Sequence, residues 1–76
     1  MLKLGDRIRI ITGGEGSGHA LAKGSTAHYI EQATVPGWII ADGPPAREDG
    51  GMWAWAADME RPVTQMLEPR DYEVLA

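Results

Sequence analysis

The sequence predicts an all-β fold: a small, strongly bent barrel of five short strands with one short helical turn. Three observations carry this expectation. Gly5-Asp6 leads straight into Arg7-Ile8-Arg9-Ile10-Ile11, which reads as a tight turn launching a strand. Four of the next six residues from Gly13 to Gly18 are glycine, so that strand empties into a long loop. The later apolar segments are short and punctuated by Gly, Pro and Asp, the spacing of strands rather than helices.

The elements follow in order. Ile8 and Ile10 alternate with Arg7 and Arg9, the period-two pattern of a strand with one wet face, and predict a first strand over residues 6–12. Residues 13–24 hold five glycines, each costing about 1 kcal/mol relative to alanine in a helix, and so form a loop with Leu21 as its apolar anchor. Residues 25–33 make a second strand in which Ala27 and Tyr29 share one face and Ile30 takes the other. Val35-Pro36-Gly37 is a turn, because proline presets its backbone angle and glycine accepts positive φ. Residues 38–41 form a third strand, apolar on both faces. Residues 42–51 form an exposed loop, since the adjacent Pro44 and Pro45 rule out regular pairing. Residues 52–57 restore alternation, with Trp53 and Trp55 on one side and alanines on the other. Residues 58–62 suggest the helical turn, stopped by Pro62, and residues 70–75 a closing strand with Tyr72 and Val74 facing together. The expected organisation is a barrel over residues 1–63 and a C-terminal extension, 64–76, that adds a strand or covers an edge.

Bulk composition narrows the function. Seventy-six residues make one domain that buries only about 60% of its unfolded surface. With no cysteine, neither a disulfide nor a thiolate metal site can staple it. No apolar run reaches the roughly 20 residues needed to cross a bilayer, and the N-terminus lacks the apolar stretch of a secretory signal. The expectation is a soluble, cytoplasmic protein. A net charge of −4 argues against nonspecific binding to phosphate backbones, which reward a basic surface. A local basic patch around Arg7, Arg9 and Lys23 is the exception.

The order of parts resembles a Src-homology-3-like small barrel. The residues that carry the resemblance are Leu4-Gly5-Asp6-Arg7-Ile8-Arg9-Ile10, Gly24-Ser25-Thr26-Ala27, Gly37-Trp38-Ile39-Ile40 and Trp53-Ala54-Trp55-Ala56-Ala57-Asp58-Met59-Glu60. The chain looks most like the short barrels encoded by bacteriophages. The resemblance implies a tryptophan-bearing fourth strand running into a one-turn acidic helix, with Met59 plugging the barrel. It also implies a phage accessory or host-modulating role. The paired tryptophans and aromatic-acidic run of a polyproline groove are missing, so the resemblance does not extend to proline-rich peptide recognition.

Candidate sites are few. The glycine segment is not a phosphate-binding loop: the order Lys23-Gly24-Ser25 reverses the Gly-Lys-Ser/Thr that converges amides and lysine on an anion. Gly14, Gly16 and Gly18 lack the spacing of a dinucleotide fingerprint. His19 and His28 have neither cysteine partners nor helical spacing, so no metal is expected. Ser17, Ser25 and the histidines sit in no strained turn with an oxyanion hole, so no catalytic residue and no cofactor is expected. The tryptophans are the sharpest feature. At least two of them are expected to fill a core that lacks phenylalanine, while one, taken as Trp53, stays partly exposed as an aromatic anchor. Trp53, Lys23, His19, Arg7 and Arg9 are therefore the candidate partner-binding residues. The leading expectation is a protein-binding module whose partner is another protein, from host or phage. Nucleic-acid binding through the basic residues and self-association through an open edge are the alternatives.

Overall fold

The computed structural model describes residues 2–13, 17–46, 55–56 and 59–75. Among them five strands are formed: β1 (Arg7–Ile10), β2 (Thr26–Gln32), β3 (Ile39–Gly43), β4 (Val63–Leu67) and β5 (Tyr72–Val74). They make one antiparallel sheet in the order β4-β3-β2-β1-β5. A 3-10 turn, Pro69–Asp71, joins the two edge strands. The domain is all-β, as expected, and its described helical turns are short.

Alternation decides which way each strand faces. Ile8 and Ile10 are fully buried while Arg7 and Arg9 are exposed. Across β2 the partners Ile8↔Ala27 keep the same inward face, and Tyr29↔Ala41 continues it into β3. The register shifts between Tyr29 and Glu31. That bulge resolves the conflicting pattern of β2: Ile30 falls at the irregularity and is half-buried, so Ala27 and Tyr29 keep the core side. Ile39 and Ala41 of β3 face Leu67 and Gln65 of β4. Ile8, Ile10, Ala27, Tyr29, Ile39, Ala41 and Leu67, with Leu21 and Val63, form the core.

Two glycines have separate geometric reasons. Gly37 adopts φ +84 in the turn before β3, a conformation that side chains with a Cβ rarely take. Gly43 ends β3 against β2, where an added Cβ would lie 2.8 Å from the Ala27 Cβ. Only a residue without a side chain lets the two strands approach so closely.

Several expectations are corrected. Residues 55–56 lie in a helical turn, not in a strand of alternating tryptophans; the remainder of residues 52–57 lies outside the described residues. The fourth strand is Val63–Leu67, because Val63 and Leu67 point inward against Gly43 and Ile39. The boundary expected at residue 63 therefore falls inside β4. The expected extension supplies most of one edge strand and, in β5, the strand that pairs with β1. The 3-10 turn of Pro69–Asp71 follows β4, whereas residues 59–60 are irregular. Met59 is 37% exposed and lies outside the core cluster, whose large, fully buried side chains include Leu21 and Leu67. Trp38 is half-buried and Trp55 is 49% exposed, so neither belongs to the core cluster.

The core is thin enough that single truncations weigh heavily. Leu67→Ala is expected to lower unfolding free energy by about 2–5 kcal/mol, and Gly43→Ala by about 1–3 kcal/mol through overpacking. Urea denaturation followed by tryptophan fluorescence measures both, and a Gly43→Ala midpoint equal to wild type contradicts the close approach of β2 and β3.

Candidate functional site

An open groove of roughly 310 Å³ is lined by Leu2, Tyr29, Gln32, Gly37, Ile39 and Tyr72. Each wall follows from the sheet. Tyr29 and Gln32 come from β2, Ile39 from β3, and Tyr72 from the first position of β5, where it pairs with Ile10. Gly5 N–H donates to the Tyr29 carbonyl at 2.8 Å, and Tyr29 N–H donates to the Asp6 carbonyl at 2.9 Å, which holds the N-terminal stretch against β2. Leu2 then packs on the core from the outside. Tyr72 does the same from the edge, its hydroxyl 3.5 Å from the Gly37 carbonyl oxygen, a long contact.

The groove is apolar with phenolic tips and carries no charge of its own. Burial pushes the Tyr72 hydroxyl above its ordinary value and the neighbouring Tyr29 adds to the rise, so Tyr72 stays a neutral donor at physiological pH. Such a surface can accept an apolar side chain and offer it a hydroxyl, an arrangement suited to recognition.

A second cleft, about 300 Å³, is lined by Ile11, Thr12, Gly13, Ser17, Lys23, Arg70 and Asp71. Beneath it runs a buried polar chain. Leu21 N–H donates to His19 Nδ1 at 3.1 Å. A nitrogen that accepts carries no proton, so the proton of the neutral ring sits on Nε2. Nε2 lies 3.0 Å from the Thr12 hydroxyl oxygen, and that hydroxyl donates to Asp71 Oδ1 at 2.7 Å. The other Asp71 oxygen accepts the Glu68 N–H at 3.0 Å. Burial pushes the His19 imidazole below its ordinary value, outweighing the upward pull of Asp71 and of a bond to the Thr12 backbone.

Four of the five residues singled out from sequence are described, and these four are not brought together. Trp53 lies outside the described residues. Arg7 and Arg9 stand on the outer face of β1, and Arg9 Nε lies 3.9 Å from the Glu73 carboxylate. Lys23 is exposed at the rim of the second cleft. His19, expected as a loop residue within reach of a ligand, is 1% exposed with both ring nitrogens engaged inside the protein. Its role is internal because residues 19–21 fold back onto Thr12 and Gln65 instead of standing away from the sheet. His28, by contrast, is exposed opposite Asp42, and among the described residues no three of His, Asp or Glu are placed to hold a metal ion. No helix of the described residues is long and apolar enough to cross a membrane.

Sequence reasoning missed the tyrosine groove, since Tyr29 and Tyr72 are far apart in the chain and meet only through β1. It also missed Asp71. The signal there was Glu68-Pro69-Arg70-Asp71, a proline at the first position of a turn and an acid three residues after its start. Comparison with protein families, curated proteins and solved structures gives no match for this chain.

Removing the Asp71 carboxylate orphans a buried N–H and a hydroxyl at once. Asp71→Ala is expected to cost about 2–4 kcal/mol in urea unfolding, and Asp71→Asn less, because one acceptor remains. Equal losses for the two variants would show that the hydrogen bonds are not what the carboxylate contributes.

Proposed function

We propose that this chain is a Src-homology-3-like barrel used as a small, non-enzymatic protein-binding module, and that the Tyr29–Tyr72 groove grips the partner. The observation that carries the reading is the groove itself: an open, uncharged hollow lined by both tyrosines of the chain, Tyr29 from the buried core and Tyr72 half-buried on the edge strand. The strand order and the 3-10 turn between the last two strands are compatible with such a barrel.

The chemistry of the partner follows from two features. The hollow suits one large apolar side chain with a polar group within reach of a tyrosine hydroxyl. The net charge of −4 favours basic residues flanking that anchor, because complementary charge speeds encounter and rejects acidic competitors. A standard contact of about 800 Å² per partner is roughly a sixth of the 4850 Å² surface. Nucleic acid is the less favoured partner: Arg9 faces Glu73, and Lys23 stands apart from Arg7 and Arg9 at the other cleft.

Capture from a lysate of the cells in which the protein is made, followed by cross-link mapping, tests the proposal. Wild type is expected to retain one protein stoichiometrically, with cross-links to the groove. Tyr72→Ala, folded by circular dichroism, is expected to retain at least about tenfold less, a loss of roughly 1.4 kcal/mol. Arg9→Glu, on the opposite face, is expected to capture as wild type does. No capture, equal capture by Tyr72→Ala, or loss with Arg9→Glu alone overturns it.

A further inference from the structure

We propose that His19 is an acid-sensitive clasp: at neutral pH it pins residues 17–19 onto Thr12 and Asp71, and on taking up a proton it lets that stretch go before the sheet unfolds. The argument starts from one hydrogen bond. Leu21 N–H donates to His19 Nδ1 at 3.1 Å in a position with 1% exposure. An imidazolium has a proton on both nitrogens and can accept nothing. Protonation therefore sets N–H against N–H in a buried position, and the ring must turn or leave.

The opposing contact does not rescue the charged ring in place. Among the described residues, the charged group that faces His19 is Asp71, on the 3-10 turn, reached through the Thr12 hydroxyl that follows β1. Lys23, from the loop, and Arg70, from the turn, line the cleft beside Thr12 and Asp71. Asp71 attracts an imidazolium, but it already accepts from Thr12 and from the Glu68 N–H. Burial weighs more heavily than Asp71 on the ring.

What the ring releases is local. The Ser17 hydroxyl donates to the His19 carbonyl at 3.0 Å, and Ala20 N–H donates to the Gln65 side-chain oxygen at 3.1 Å. The Ala20 carbonyl also accepts the Ala46 N–H at 2.7 Å and the Ala22 N–H donates to the Pro44 carbonyl at 3.0 Å, so core residue Leu21 stays in place while its own N–H loses its acceptor. The ladder of β1 and β2 depends on none of them: Ile10 N–H donates to the Ser25 carbonyl and Tyr29 N–H to the Asp6 carbonyl, both at 2.9 Å. The sign follows from linkage. The folded ring binds its proton less readily than the free one, whose ordinary value is 6.5. Docking of the stretch is complete above that value and is lost as pH falls through the depressed one.

Amide hydrogen exchange by NMR on the whole chain, from about pH 7.5 to about pH 5 and corrected for intrinsic rates, tests this. Protection at Ala20 and Leu21 is expected to fall at least about tenfold, with Tyr29 and Ile10 unchanged. The ring signal of His19 is expected to titrate with the same midpoint. His19→Asn keeps an acceptor for Leu21 N–H without a titrating ring, and its protection is expected to stay flat over the range. Three results overturn the clasp: constant protection at Leu21 through the ring's titration, a midpoint differing from the ring's by more than about half a pH unit, or simultaneous loss at Tyr29 and Ile10. The wild-type titration alone decides the matter if His19→Asn fails to fold.

Discussion

A carboxylate taken out of water is destabilising unless its oxygens are bonded, and Asp71 meets that requirement by joining three parts of the chain. One oxygen accepts the Thr12 hydroxyl just beyond β1, the other accepts the Glu68 N–H at the start of the 3-10 turn, and the Asp71 carbonyl accepts the Ile11 N–H at 2.9 Å. The turn between the two edge strands is thereby fastened to the end of β1, the strand that pairs with β5. A chain with no cysteine has no covalent way to hold that corner. The polar chain from Asp71 through Thr12 to His19 serves instead, and it holds His19 against the end of β1.

The same corner shapes the groove. Tyr72 follows Asp71 directly, so fixing the carboxylate fixes where the tyrosine enters β5. Pro69, at the start of the turn, sits close to Gly37, where an added Cβ would lie 3.4 Å from the Pro69 ring. Gly37 in turn forms one rim of the groove. Polar bonding on one side of the turn and an apolar hollow on the other are thus consequences of one anchoring point. Recognition surfaces on small domains need such rigidity, since a mobile side chain loses part of its binding energy to ordering.

Much of the sheet was legible from local pattern. Ile8-x-Ile10 with arginines between could only lie as a strand with one wet face, and Gly5-Asp6 marked its launch. Val35-Pro36-Gly37 marked the turn into β3. The errors arose where local pattern competed with sheet register. Trp53-Ala54-Trp55-Ala56 alternates as convincingly as any strand, yet the place beside β3 belongs to Val63–Leu67, whose inward Val63 and Leu67 meet Gly43 and Ile39. Met59 looked like a plug only because a strand was expected before it. His19 looked like a free loop residue because nothing local shows that its acceptor will face the Leu21 N–H.

Residue order alone determined the all-β character, the inward and outward faces of β1, the turn at Gly37 and an acidic surface, because each depends on side chains within a few positions of one another. The tertiary structure decided which segment became the fourth strand, how Tyr29 and Tyr72 came to share a hollow, and why a histidine in a glycine-rich loop ended up buried. Those outcomes require partners tens of residues apart to meet in a common register, and pairing energy of that kind is written in no single stretch of chain.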